Sequence, residues 1–328
     1  MYRLDRTLCV APMMAWTDRH CRYFHRLLSP STLLYTEMVT TGAVFYGDRE
    51  KLLGFDPAEH PLALQLGGSD PEELAAAARI AREAGFDEIN LNVGCPSDRV
   101  RKGRFGACLM KEPDRVRDAL AAMAAAVDLP VTVKTRIGVD DLDSDEFLQA
   151  FVARVAESGI RTVILHARKA WLSGLSPKQN RELPELHYGR VFRVAAAFPG
   201  LEIILNGGIR SVRDARDALD KVDGVMVGRA AYQNPWVLAE LEAALGSGRP
   251  PDDRRAVVKA MAAYASAHLA AGGRLHQVAR HMLGLFHGQP GARAWRRQLS
   301  ECMHDPAAGP DLLIKACPEV PEPASAGV

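Results

Sequence analysis

Eight short apolar runs, each closed by a polar residue or a glycine and spaced by helix-like sequence, constrain this chain more than any other feature. They are LCVAPMM (8–14), LLYTEM (33–38), LALQLGG (62–68), EINLNVG (88–94), VTVKTRIG (131–138), TVILHAR (162–168), EIILNGG (202–208) and GVMVGRA (224–230). Residues 71–85 between two of them read as a helix. Asp70 is placed to cap it, Pro71 sits at its first position, acids fill its first turn and Gly85 ends it. Residues 113–127, 144–159, 187–198 and 211–221 read the same way. Strand–helix units in such a series predict an α/β fold, a (β/α)8 TIM barrel. A doubly wound open sheet is the alternative, and the even spacing favours closure.

After residue 243 the pattern changes. Residues 246–251 (GSGRPP) read as a linker, and helical spacing without strands follows. The expected organisation is a barrel over 1–243, a small C-terminal helical domain over 244–304 and a poorly ordered tail over 305–328, rich in Pro and Ala. The net charge of +1 hides an uneven distribution: residues 254–300 carry eight Lys and Arg and no Asp or Glu. A segment of that kind is a polyanion footprint. No run of eighteen apolar residues exists, so no membrane span is expected. Six cysteines form no CxxC pair, which argues against a disulfide framework or zinc site and for a reducing cytoplasm. GxGxxG after a strand, GxxxxGK[ST] and HExxH are all absent, so neither a dinucleotide domain, a P-loop nor that metal chemistry has support.

In a barrel of this kind the chemistry sits where strands end. Those positions hold Pro12, Met13 and Met14; Gln65; Asn92 with Cys95; Lys134; His166 with Arg168; Asn206, Gly207 and Gly208; and Gly228 with Arg229. Glycines after the seventh and eighth runs let backbone N–H groups approach an anion, and Arg229 can pair with it, which predicts a phosphate site. Lys134 has several readings: a Schiff base, a phosphate partner, or a charge against the N1/O2 edge of a reduced flavin. The apolar, polarizable Pro12, Met13 and Met14 suit a flat ring, and Gln65 and Asn92 suit imide groups. Cys95 is presented at a strand tip beside a basic glycine loop with Arg99, Arg101, Lys102 and Arg104. The acid-rich stretch 140–145 reads as a solvated loop, and residues 170–184 as a long loop on the strand-end face, of the kind that is either functional or disordered.

Taken together, APMMAWTD (11–18), QLGG (65–68), LNVGCPS (91–97), VKTRIG (133–138), LHAR (165–168), LNGGI (205–209) and VGRA (227–230) resemble the tRNA-dihydrouridine synthases. KAWLSGLSPKQNRE (169–182) and GARAWRR (291–297) are similar to the A-type subfamily. The resemblance runs from about Leu8 to Arg297 and implies an FMN enzyme, reduced by NADPH, that converts a D-loop uridine of tRNA to dihydrouridine, at positions 20 and 20a for this subfamily. It implies that Cys95 donates the proton to C5 of the uracil. It implies FMN contacts from Pro12, Met13, Met14, Gln65, Lys134, His166, Asn206, Gly207, Gly208, Gly228 and Arg229. It implies tRNA contacts from Asn92, Lys178, Arg181, Arg293 and Arg296. No stable protein partner is implied, so a monomer is expected.

Overall fold

The computed structural model describes residues 4–97, 100 and 103–319. Eight parallel strands, β1 (Leu8–Val10), β2 (Leu34–Thr40), β3 (Leu62–Gly67), β4 (Glu88–Val93), β5 (Val131–Arg136), β6 (Thr162–His166), β7 (Glu202–Asn206) and β8 (Gly224–Val227), follow one another around a single sheet in the order β1-β8-β7-β6-β5-β4-β3-β2. The two ends of that order meet. Cys9 bridges Leu33 in parallel, Val10 N–H donates to Leu33 O at 3.0 Å and Leu33 N–H to Leu8 O at 3.1 Å. An open sheet would leave two unpaired edges; here they join. The expected (β/α)8 barrel is therefore the observed fold.

The helices begin and end where local chemistry dictates. Pro71–Ala84 opens on Asp70, whose carboxylate accepts from Glu72 and Glu73 N–H at 3.0 Å each, and closes on Gly85 at φ +94°. A cap of this kind is worth about 1 kcal/mol. Pro113–Ala126, Asp145–Ala156 (capped by Ser144), Tyr188–Ala197 and Val212–Leu219 occupy the other expected stretches. Ala77, Ala78, Ala81 and Ala119 are buried on the first two, small enough to let neighbouring helices approach closely.

The alternation in β4 reads as a half-buried strand, yet all six of its residues are buried. Ile89, Leu91 and Val93 join the core shared with the helices. Glu88, Asn90 and Asn92 occupy the opposite face, which in a barrel is the interior. There Cys9, Ala11, Leu33, Tyr35, Ala63, Ile164, Ile204 and Met226 form a second apolar cluster, and polar side chains fill the remaining space. At the floor Arg6 pairs with Glu88 at 2.7 Å and Glu202 at 2.9 Å. Buried charges of this kind must be paired, and these are.

Helix Trp236–Leu245 runs through the expected boundary at 243, and the linker starts at Gly246. Glu242, fully buried, accepts from Ser31 Oγ at 2.6 Å and Gly248 N at 2.7 Å, so the linker is tied to the barrel. Helices Arg254–Ala270, Leu275–Ala279 and Ala292–Cys302 follow. Asp18 joins the two parts: it caps helix Arg19–Leu28 through His20 and Cys21 N–H and also holds His281 and Arg280. The expectation of a poorly ordered tail gives way over 305–319. Helix Asp311–Ala316 packs on Arg254–Ala270 and Ala292–Cys302 through buried Leu313 and Ala316, an i,i+3 apolar pair inside a Pro- and Ala-rich stretch. Residues 320–328 lie outside the described residues. Among the described residues no helix is long and apolar enough to cross a membrane.

Candidate active site

Period-two alternation sends Asn92, Lys134, Arg136, His166, Asn206 and Gly228 to the C-terminal ends of β4 to β8, where register brings them together. Asn92 stands opposite Lys134, Arg136 opposite His166, and His166 opposite Asn206. Lys134 Nζ donates to Asn206 Oδ1 at 3.0 Å, and Asn206 Nδ2 donates to Met226 O at 2.8 Å. Lys134 and His166 are deep in the barrel mouth yet keep accessible surface, as side chains lining an open cavity do.

The electrostatics of this mouth are one-sided. Burial lowers Lys134 to about 7, and neighbouring Arg136 adds to the effect. Burial pushes His166 well below the usual imidazole range, reinforced by Arg136, Lys134, Arg168 and Arg229. Arg136 is lowered to about 10, again by burial first. Of the cations Lys134, Arg136, Arg168, Arg181 and Arg229, only Arg229 has a carboxylate partner among the described residues, Glu182 at 2.8 Å. The arrangement sets five cations against one carboxylate and fits an anionic ligand.

The glycines at the last two strand ends differ from one another. Gly207 and Gly208 have φ of +108° and +79°. A Cβ on Gly208 would meet Tyr188 Oη at 2.2 Å, and one on Gly207 would meet His166 Cδ2 at 2.8 Å. The positive φ and the crowding side chains together favour glycine at both. At Gly228 a Cβ would meet nothing closer than Ala11 Cβ at 3.9 Å, so open space faces its backbone. Pro12 and Met13 are half-buried and Met14 is 58% exposed on the turn after β1, which Thr17 closes by donating to and accepting from the Met13 main chain.

Cys95 lies on the turn after β4, partly exposed, its Sγ 3.5 Å from Ser97 Oγ. Asn92 holds this turn: its Oδ1 accepts from Gly94 N at 3.1 Å and Cys95 N at 3.0 Å. Behind Asn92 runs a relay of one polarity. Asn92 Nδ2 donates to Gln65 Oε1 (2.8 Å), Gln65 Nε2 to Asn90 Oδ1 (2.8 Å), Asn90 Nδ2 to Thr132 Oγ1 (2.9 Å) and Thr132 Oγ1 to Glu88 Oε1 (2.6 Å). Gln65, 1% exposed, and Asn92 thus spend polar atoms on the scaffold. Arg99, Arg101 and Lys102 of the basic glycine loop lie outside the described residues; Arg104 is exposed and 3.9 Å from Glu112.

The long loop at 170–184 is built around Asn180, which is fully buried and bonds Trp171 N, Trp171 O and Leu175 O at 2.8, 2.9 and 3.2 Å. Asp140 anchors it too, accepting from Leu172 N at 2.9 Å, so the acidic stretch expected as a solvated loop has a fastening role. Lys178 and Arg181 are exposed on this loop. Arg293, Arg296 and Arg297 are exposed on helix Ala292–Cys302 and make no ion pair among the described residues. The acid-free segment is less free than its composition implies. Arg280 is held by Asp18, and Arg254 stacks on Trp236 at 4.3 Å and donates to Leu285 O. Sequence reasoning passed over Arg136 and Asn180; Arg136 follows Lys134 by two residues in a strand, which places both on one face.

Known proteins resemble this chain along most of its length. The dihydrouridine synthase family matches residues 9–319. A tRNA-dihydrouridine(20/20a) synthase of Vibrio cholerae is 57% identical over 316 residues, 96% of either chain. Proteins of the same name from Shewanella oneidensis and Escherichia coli are 58% and 56% identical over 311 and 307 residues, covering 94% and 93% of this chain and 92% of each of theirs.

Proposed function

The chain belongs to the dihydrouridine synthase family, and on that premise we propose that it reduces uridines 20 and 20a in the D-loop of tRNA to 5,6-dihydrouridine, with FMN as resident cofactor and NADPH as reductant. The observation that carries this reading is the juxtaposition of a thiol on the β4 turn with a barrel mouth in which cations outnumber carboxylates. Bound FMN, once reduced by NADPH, supplies hydride to C6 of the uracil.

The residues present fit such a group. Lys134, Arg229 and the open backbone at Gly228 offer positive charge and close approach to a phosphate and to an electron-rich ring edge. His166, Asn206, Gly207 and Gly208 complete that wall, while Gln65 and the apolar Pro12, Met13 and Met14 take the ring. Asn92 orients the turn and, at its edge, the base. Cys95 donates the proton to C5, the part of the reaction that must come from the protein. A uridine in folded tRNA has to leave its stack to reach this depth, and a second basic surface must hold the RNA backbone. Exposed Lys178, Arg181, Arg293 and Arg296 supply it, and the enzyme needs no protein partner to do so.

The test is mass mapping of unmodified tRNA before and after incubation with the FMN-loaded protein and NADPH. A gain of two hydrogens on uridine 20 or 20a is expected. Unchanged tRNA would overturn the reading, and reduction of the free base alone would move the substrate class.

A further inference from the structure

Arg136, the last residue of β5, is 3% exposed and has no carboxylate partner among the described residues. Its Nε and Nη1 donate to main-chain carbonyls instead. Nε donates to Gly94 O at 3.0 Å, and Nη1 donates to Lys169 O at 3.0 Å and to Asn180 O at 2.9 Å. Gly94 immediately precedes Cys95. Lys169 and Asn180 bracket the loop that carries Lys178, and Asn180 is the residue around which that loop is built. One planar group therefore touches two segments with different tasks.

We propose that Arg136 is a positioning residue for proton delivery: by holding Gly94 O on one side and Lys169 O and Asn180 O on the other, it sets the place of the Cys95 turn relative to the loop that meets the RNA. This rests on the functional reading above. The geometry explains why arginine occupies the position. A guanidinium presents a rigid fork of N–H donors, whereas an ammonium on a shorter stem cannot reach carbonyls on both sides at once. Asn92 fixes the Cys95 turn through its N–H groups, and Arg136 fixes it through the carbonyl of Gly94. Only the second connects it to another loop.

The experiment compares Arg136→Lys, Arg136→Gln and Asn180→Ser in the FMN-loaded protein. Single-turnover dihydrouridine formation is measured at saturating tRNA, together with tRNA affinity and the rate of Cys95 alkylation by iodoacetamide, mapped by mass spectrometry. Arg136→Lys keeps the charge and loses the fork. Its turnover falls roughly 100-fold, the penalty of an ångström-scale misplacement, while tRNA affinity holds. Arg136→Gln loses the fork and the charge together, so its turnover falls at least as far. Asn180→Ser leaves Arg136 in place and loosens the far end of the link, so turnover and the alkylation rate of Cys95 both change although the substitution lies on another loop. If the Arg136 variants fail to fold, this last variant decides.

Wild-type turnover in Arg136→Lys, or wild-type turnover and alkylation in Asn180→Ser, overturns the proposal. Loss of turnover only in proportion to lost tRNA affinity or lowered melting temperature reduces Arg136 to a structural residue and overturns it equally. Should wild-type protein form no dihydrouridine, the functional reading falls, and the alkylation response to Asn180→Ser alone decides whether the two segments are linked.

Discussion

Substituting Glu88→Gln at the barrel floor should be felt at Cys95, at the other end of the interior. The relay between them can have only one polarity in the native protein. Glu88 is an acceptor at the bottom, and the Gly94 and Cys95 N–H groups are donors at the top, so every amide between must point as it does. An amide at position 88 would keep its oxygen toward Arg6 and turn its NH2 group toward Tyr35 and Thr132, which now donate to Glu88 at 2.7 and 2.6 Å. Thr132 Oγ1 then accepts from that NH2 group and its own O–H needs a new acceptor, which Asn90 Oδ1 supplies when Asn90, Gln65 and Asn92 each reverse. The reversed relay ends with Asn92 Nδ2 facing the N–H groups of Gly94 and Cys95. One buried donor without an acceptor costs about 1–3 kcal/mol. Arg6 loses a charge but keeps Glu202, so this contribution lies near 2 kcal/mol, below the roughly 3–5 of a fully orphaned buried charge. The sum is about 3–5 kcal/mol, a large part of the ~5–15 kcal/mol by which domains are stable. Urea unfolding reads the stability, and hydrogen exchange at Gly94 and Cys95 reads the far end. Adding Thr132→Val cuts the relay and should restore protection at those amides without restoring full stability. A Glu88→Gln protein with the wild-type urea midpoint, or one destabilised with Gly94 and Cys95 exchange unchanged, would refute the reasoning.

Cys95→Ala should retain FMN and tRNA binding and slow single-turnover dihydrouridine formation by roughly two to four orders of magnitude, the worth of a placed general acid. Cys108→Ala, whose half-buried thiol contacts Phe105 O at 3.1 Å, should be nearly silent in the same assay. Burial holds Lys134 near 7, so between that pH and about 10.4 the unfolded chain binds one more proton than the folded one, and stability without ligand should rise with pH through that window. Binding FMN reverses the preference: calorimetry at pH 8 in buffers of different ionisation heat should register proton uptake, and its absence would remove Lys134 from the cofactor site. Arg293→Ala with Arg296→Ala should flatten the salt dependence of tRNA affinity by roughly 0.7–0.9 in log–log slope per lost phosphate contact and leave the bound flavin unaffected; an unchanged slope would move the RNA footprint elsewhere.

The barrel was legible in the sequence because each strand had to be apolar toward the helices, and those residues stood in short bounded runs. The interior was less legible. Glu88, Asn90, Gln65 and Thr132 are buried and polar, and a one-dimensional alternation cannot distinguish a solvated face from a barrel lumen lined by hydrogen bonds. The strand ends were readable as a set of positions, since Lys134, His166 and Asn206 do meet. Partnership was not readable: nothing in the order of residues says that Arg136 answers to carbonyls, or that Asp18 takes Arg280 out of an otherwise acid-free segment. Gly207 and Gly208 read in the sequence as glycines for an anion, whereas what the structure shows is Tyr188 and His166, far away in sequence, crowding both positions.

The closure between β1 and β2 has a mechanical consequence. Neighbouring strands elsewhere share three to five residue pairs in register, whereas this junction is one bridge and the two main-chain hydrogen bonds of Val10 and Leu33. A hoop yields at its clasp. Opening there breaks few bonds and leaves every other ladder intact, so the amides of Val10 and Leu33 should exchange through small local excursions, while those of β4 to β6 wait for the whole barrel to come apart. The barrel is thus stiff around most of its circumference and compliant along one line. The turn carrying Pro12, Met13 and Met14 rises from that line, so the wall proposed to receive the flat ring is also the wall with the most give.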